Sequence, residues 1–225
     1  MITYHKNIIQ GTPEWHSIRR GIVTASIAGK LITPTGKVAN NDTVRQLAFS
    51  LAAERITGRT EEGPSTFHLD RGHTEEVFAR ELYAKNYDSV EQCGFIDSDE
   101  LGFRVGYSPD GVTKDGLIEI KSRMQKFQIQ TICSGEVPDE YMAQLQFGLL
   151  VSDRPYIDFI QYSNGMELFV KRVIQNPAFF SVLIESVTLF EDRVKALVDD
   201  YKEKSIGLVV ADLVEIKKDE DEDNF

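Results

Sequence analysis

YSPDGVTKDGLIEIKS, residues 107–122, holds two short strand-like runs separated by turn-forming Asp and Gly residues. Side chains alternate along a strand, so Glu119 and Lys121 point to one face while Ile118 and Ile120 point to the other. If the runs pair about the Lys114-Asp115-Gly116 turn, Asp110, at a strand end after Pro109, comes near Glu119. Two adjacent carboxylates repel unless a hard cation neutralises them, and Mg²⁺, which takes oxygen ligands and keeps several waters, is the natural candidate. Lys121 would then position or help deprotonate a water while the metal stabilises charge on a phosphate, the logic of a phosphodiester-cleaving site. The plainer reading, with Asp110-Gly111 as a turn and Glu119 and Lys121 as the solvated face of an edge strand, stays open at this level.

Outward from this segment, QCGFIDS, FRVGYS and LIEIKS read as three strands bounded by turn residues. Pro138 to Leu150 reads as a helix with Met142, Leu145 and Leu149 on one face, and YIDFIQY and MELFVKRV as a hairpin about Asn164-Gly165. A long helix follows from Pro177 to about Lys204, with Phe180, Leu183, Val187, Val194 and Leu197 inward. Upstream, Pro13 to Leu31 reads as two short helices around Gly21, capped by Thr12 and Thr24. Asp42 to Thr57 is a helix with Asp42 as N-cap and Gly58 as its stop. Residues 58–68 form a loop before a helix from Arg71 to Asn86, which turns Phe78 and Leu82 to the core and carries Glu76 on the face of Ala79 and Tyr83. Strands in the middle with helices on either side predict an α/β fold, a central mixed β-sheet flanked by helices. The run IGLVVADLVEI fits strand and helix equally.

The chain has 225 residues with 41% hydrophobic and 27% charged, an ordinary globular composition that excludes disordered and fibrous classes. No apolar run reaches the roughly 18 residues needed to cross a bilayer, and the first segment lacks a signal peptide's basic start and apolar core, so a cytoplasmic location is expected. Cys93 and Cys133 are too few for a disulfide framework or a four-cysteine zinc site and are read as free thiols. The formal net charge of −11 argues against broad, non-specific binding to nucleic acid. Part of it is local: the last nine residues, KKDEDEDNF, carry two Lys and five acids. We divide the chain into one domain, 1–216, and an acidic tail, 217–225, expected to be disordered.

SPDG, IEIK, the upstream helical Glu76 and the YMAQLQ helix resemble the PD-(D/E)XK nucleases, specifically the lambda exonuclease group of viral recombinases, the YqaJ type. EWHSIRRGIVTAS, residues 14–26, resembles that group's W-H-x-x-R-x-G-x-x-T-A-S segment, so motifs run in order from Trp15 to Gln146. The resemblance implies a restriction-endonuclease-like core and a Mg²⁺-dependent 5′-to-3′ exonuclease on linear double-stranded DNA, with Mn²⁺ as a substitute and two ions per site. Asp110, Glu119 and the backbone carbonyl of Ile120 would bind metal, Glu76 would contribute, and Lys121 would orient the attacking water. A pocket for the 5′-terminal phosphate would use Arg19, Ser26, Ser108 and Gln144, since Arg offers a charged fork and the hydroxyls and amide complete the oxygen shell. Tyr141, one turn before Gln144, would line the site, and Leu69 lies where the family places an apolar side chain that pries apart the terminal base pair. Trp15 and His16 read as packing and local hydrogen bonding.

The family also implies a homotrimer ringed around DNA, a single-strand annealing recombinase that takes up the 3′ overhang, and a phage or prophage origin in a bacterial cytoplasm. Such a ring reconciles the acidity with DNA binding, with Lys121, Arg123, Lys126, Arg104 and Arg45 as candidates for its inner face. The terminal DEDEDNF resembles the acidic tip of bacterial single-stranded DNA-binding proteins, with Phe225 as its anchor. Two alternatives stay open: an endonuclease or a nuclease of other polarity on the same fold, and a non-catalytic DNA-end binder or DNA mimic. A role for Arg19 in preferring phosphorylated ends separates the first, and the joint presence of Asp110, Glu119 and Lys121 argues against the second.

Overall fold

The computed structural model describes residues 1–33, 35–61 and 67–214, apart from the side chains of residues 67–71 and 73. Leu69 as a side chain and the tail at 217–225 therefore lie outside the described residues. In chain order the elements are β1 (Ile2–His5), α1 (Pro13–Arg19), β2 (Val23–Thr24), α2 (Ala25–Ala28), α3 (Asp42–Thr57), α4 (Phe67–Asn86), β3 (Phe95–Ser98), β4 (Val105–Tyr107) and β5 (Gly111–Val112). They continue as β6 (Leu117–Ser122), α5 (Gln125–Ser134), α6 (Asp139–Ser152), β7 (Tyr156–Tyr162), β8 (Phe169–Ile174) and α7 (Pro177–Lys204).

The α/β class with mixed strand pairing and flanking helices is as expected. Among the described residues, however, the strands form two four-stranded sheets, β1-β3-β4-β2 and β5-β6-β7-β8, where the sequence suggested one. The chain leaves the ladder at Ser108-Pro109-Asp110, between β4 and β5, and a proline there has no N–H to donate. Each sheet is mixed. β2 runs parallel to β4, which sets the segment after Arg19 beside the strand leading into Ser108 and Asp110. β6 runs antiparallel to β5 and parallel to β7. That parallel pair needs a crossover, which α5 and α6 supply.

β6 and β7 are covered on both faces. On one, Ile118, Ile120 and Ile160 pack with Ala79 and Tyr83 of α4. On the other, α6 packs against β7, and its Leu145, Phe147 and Leu149 are fully buried in the main core. Burying side chains of this size contributes about 1.5–3 kcal/mol each. β6 is thus an interior strand, and the solvated-edge reading of Glu119, 3% exposed, falls.

Several local expectations shift. Asn41, not Asp42, caps α3, its Oδ1 accepting from Val44 N at 3.0 Å, while Gly58 ends the helix at φ 67° as expected. Thr12 caps α1, but the Thr24 hydroxyl pairs with Ser26 instead of capping α2. α4 turns Ala79 and Tyr83 inward and leaves Phe78 56% and Leu82 39% exposed, one residue out of phase with the sequence reading. The small Ala79 lets the helix axis approach Ile118 and Ile120 closely. α5 was not foreseen, because its buried residues are Gln128 and Thr131 while Ile129 and Ile132 face outward. Gln128 Nε2 donates to the carbonyls of Gln161 (3.0 Å) and Glu167 (2.7 Å), which holds the amide on the core side, while its Oε1 is buried without a partner among the described residues. Residues 206–214, left undecided by the sequence, form neither helix nor strand. No helix among the described residues is long and apolar enough to cross a membrane.

The phase of α4 is measurable by denaturant unfolding. Tyr83→Ala should cost about 3–5 kcal/mol, whereas Phe78→Ser should change stability by less than about 1 kcal/mol; the reverse order would put the wrong face of α4 on the sheet.

Candidate active site

The β5–β6 ladder pairs Gly111 with Ile118 and Val112 with Leu117, and one further step sets Asp110 opposite Glu119. The turn is closed by Thr113 N donating to Gly116 O and by the Thr113 hydroxyl accepting from Gly116 N, both at 3.0 Å. A Cβ on Gly111 would fall 2.3 Å from Val90 Cγ1 and 3.0 Å from Ile118 Cγ1, so a side chain after Asp110 would force Val90 out of place. Asp110 Oδ2 accepts from Ile120 N at 2.6 Å, which ties its carboxylate to the backbone of β6.

Glu119 faces α6. Its Oε1 accepts from Lys121 Nζ and Gln144 Nε2, each at 2.7 Å, and its Oε2 accepts from the buried Tyr107 hydroxyl at 2.6 Å. Lys121 Nζ also reaches Gln144 Oε1 at 3.3 Å and lies 5.3 Å from the centre of the Tyr141 ring. Burial and the negative charges of Glu119 and Asp110 hold the Tyr107 phenol well above its ordinary value, so it donates and stays neutral. Burial alone would lower the Lys121 pKa, but Glu119 and Asp110 outweigh it and raise the value. Lys121 is therefore a charged donor. Desolvation, then Glu119, then Glu76 push Asp110 well above the usual aspartate range.

Glu76 is ion-paired with Arg80 on α4, and Arg80 Nε also donates to the Asp110 carbonyl at 2.7 Å. A cavity of about 330 Å³ is lined by Glu76, Arg80 and Asp110, with Trp15 and His16 on its wall. A second cavity of about 370 Å³ shares that Trp15-His16 wall and contains Arg19 and Ser26. The Arg19 guanidinium stacks 3.8 Å over the Trp15 ring, and burial lowers its pKa to about 10 despite Glu54 nearby. Trp15 Nε1 donates to Gly94 O and Ser108 Oγ, both at 3.0 Å, so the indole joins the two cavities.

The residues singled out from the sequence thus fall into two groups. Asp110, Glu119, Lys121 and Gln144 meet at β6 and α6, and Arg19 and Ser26 line the second cavity with Ser108 attached through Trp15. Gln144, expected with Arg19, spends its amide on Glu119 and Lys121. Tyr141 stacks on Phe159 and takes a hydrogen bond from Arg123. Of the proposed basic lining, Arg104 pairs with Asp97, Arg45 with Asp42 and Arg123 with Glu140 at 3.1 Å, while Lys126 lies over Phe127 just past Lys121. Tyr107 and Arg80 were missed. Tyr107 meets Glu119 only through tertiary folding, whereas Arg80 carried a local signal, its i, i+4 spacing from Glu76 on α4.

A cation fits the donor set. Asp110, Glu119 and the Ile120 carbonyl offer hard oxygen ligands, and a divalent ion would offset the burial and the carboxylate repulsion that raise Asp110. Among the described residues no three His, Cys, Asp or Glu side chains could enclose a metal by themselves.

An acidic pair and a lysine on neighbouring strands of a mixed sheet flanked by helices define the restriction-endonuclease-like core, the PD-(D/E)XK fold. The YqaJ-like viral recombinase domain matches residues 14–155, more than half the chain, and the chain belongs to that family. Among solved structures it is similar to LHK-Exo, an alkaline exonuclease from Laribacter hongkongensis, at 28% identity over 88% of this chain and 100% of that one, TM-score 0.77. The same enzyme in complex with dAMP matches at 28% identity and the same coverage, with TM-score 0.78. A phage related exonuclease from Haemophilus somnus 129PT, 14% identical over 80% of this chain and 96% of that one with TM-score 0.55, bears on the fold alone. Comparison with curated proteins gives no match.

The raised Asp110 has a consequence for pH. Below the ordinary value of 3.8 it is protonated in both folded and unfolded chains. As pH rises, the unfolded chain loses this proton first, so the folded state loses stability relative to a neutral isostere. In EDTA, Asp110→Asn should therefore melt higher than wild type near pH 8, with the gap closing toward pH 4; a constant or inverted gap would mean that Asp110 is not electrostatically strained.

Proposed function

We propose that this chain is a metal-dependent 5′-to-3′ exonuclease acting on linear double-stranded DNA and leaving 3′ single-stranded overhangs for recombination by strand annealing. The observation that carries the reading is Glu119, buried on an interior strand with Lys121 at 2.7 Å and Asp110 opposite it, one indole away from a cavity containing a half-buried arginine. Among the described residues no carboxylate hydrogen-bonds to the Arg19 guanidinium, which leaves its donors for a phosphate. Support also comes from relatives. The similar enzyme described as an alkaline exonuclease binds dAMP, and a mononucleotide is what stepwise hydrolysis of a strand releases.

On this reading Asp110, Glu119 and the Ile120 carbonyl hold Mg²⁺ or Mn²⁺, two ions per site, with Glu76 contributing. The metal supplies charge neutralisation and Lewis acidity at the scissile phosphate. Lys121, charged and fixed by Glu119 and Gln144, donates to the attacking water and orients it. Tyr107 holds the other Glu119 oxygen, which fixes the carboxylate plane. Arg19 and Ser26, with Ser108, receive the 5′-terminal phosphate, Gln144 steadies Glu119 and Lys121 beside it, and Tyr141 lines the approach. Leu69 is proposed to part the terminal base pair. With a net charge of −11, DNA is held by local fields from Lys121, Arg123 and Lys126 and by a ring of three copies, and the overhang passes to a single-strand annealing recombinase.

The test uses linear duplex DNA with distinguishable labels at its two ends. Wild type in Mg²⁺ should release the 5′ label first and faster from phosphorylated ends, EDTA or Asp110→Ala should abolish release, and Lys121→Ala should slow it by about 10²–10⁴. Cutting of closed circular DNA, or loss of the 3′ label first, would contradict the proposal.

A further inference from the structure

The cavity beside Arg19 holds a second guanidinium that the reading above does not use. Arg20 lines it together with Arg19, Ser26, Ser50, Glu54 and Thr60. Its Nε is buried without a hydrogen-bond partner among the described residues, and no ion pair to its side chain occurs there. An orphaned donor of this kind is costly unless something else satisfies it. The position lies between the Arg and Gly of the W-H-x-x-R-x-G segment, where the resemblance specifies no residue.

The backbone that carries both arginines is held rigidly. Gly21, at φ +68°, donates its N–H to Glu54 Oε2 at 2.7 Å and accepts at its carbonyl from Arg55 Nε at 2.8 Å. Arg55 is in turn gripped by Glu191 of α7 through two bonds of 2.9 and 2.7 Å, and Glu191 is 3% exposed. The two peptide groups that flank Gly21 are thus each fixed by a neighbouring residue of α3. A Cβ on Gly21 would lie 3.0 Å from Arg55 Cγ, so the grip leaves no room for a side chain.

Charge decides what Arg20 is for. Glu54 lines the same cavity and already faces Arg19, so those two cancel formally. Arg20 makes the described lining net positive, two guanidiniums against one carboxylate. A terminal phosphomonoester carries close to two negative charges near pH 7, whereas an internal diester carries one. We propose that Arg20 is a second phosphate-binding residue of this cavity, and that it sets the preference for a terminal phosphomonoester over an unphosphorylated end. The inference rests on the assignment of this cavity to the 5′ phosphate, and Arg19 serves as the control for that assignment.

The experiment is equilibrium binding in EDTA of a hairpin duplex ending in a 5′ phosphate and of the same hairpin ending in a 5′ hydroxyl. Wild type, Arg20→Met, Arg20→Lys and Arg19→Met are compared, with melting curves to show that each is folded. Met keeps the side chain's bulk without its charge. The ratio of the two affinities should fall on the order of tenfold in Arg20→Met, the worth of one charge-assisted hydrogen bond, and recover in part in Arg20→Lys. A loss of affinity equal for both hairpins, or an unchanged ratio in Arg20→Met beside a reduced one in Arg19→Met, overturns the role of Arg20 and leaves the cavity assignment standing. No preference in wild type overturns that assignment, and the inference with it.

Discussion

Two carboxyl groups, Asp110 and Glu119, are held opposite one another across an antiparallel strand pair from which water is largely excluded. Neither can leave: Asp110 is bonded to the Ile120 amide, and Glu119 is bonded by Tyr107, Lys121 and Gln144. Without a cation, one ammonium and a raised Asp110 pKa absorb the repulsion. The fold carries this strain because Ile118 and Ile120 anchor the same strand to α4 from the other side. An active site of this type is where stability is given up for chemistry.

The rest of the architecture serves that strand. The parallel pairing of β2 with β4 brings the arginine-bearing segment alongside, and Trp15 bonded to Ser108 sets the spacing between the two cavities. α6 crosses behind with Gln144, whose amide bridges Glu119 and Lys121. The Arg55–Glu191 pair ties α3 to α7 and, through Gly21, to the cavity wall. Removing one partner of such a pair leaves the other charge buried, so this grip is rigid.

What the sequence made legible was local. Period-2 alternation placed Glu119 and Lys121 on one face, and the Lys114-Asp115-Gly116 turn brought Asp110 to its partner, because both follow from spacing within sixteen residues. The reach from Tyr107 to Glu119 crosses from one sheet to the other, and the bond from Arg80 to the Asp110 carbonyl comes from a different layer; no pattern along the chain encodes either contact, although the i, i+4 spacing of Glu76 and Arg80 encodes their ion pair. The phase of α4 misled because Phe78 with Leu82 and Ala79 with Tyr83 have the same spacing, and close packing favoured the smaller residue. α5 hid because its core-facing residues are Gln128 and Thr131, whose donors are met by oxygens that only the folded chain supplies. Arg20 needed the cavity and the Glu54 beside it before its charge meant anything.

The central claim is that the carboxylate pair exists to hold a divalent ion. Calorimetric titration of Mg²⁺ into wild type, Asp110→Asn and Glu119→Gln tests it without reference to catalysis. The account predicts saturable binding by wild type and its loss in both folded variants. Equal Mg²⁺ affinity in all three would contradict it.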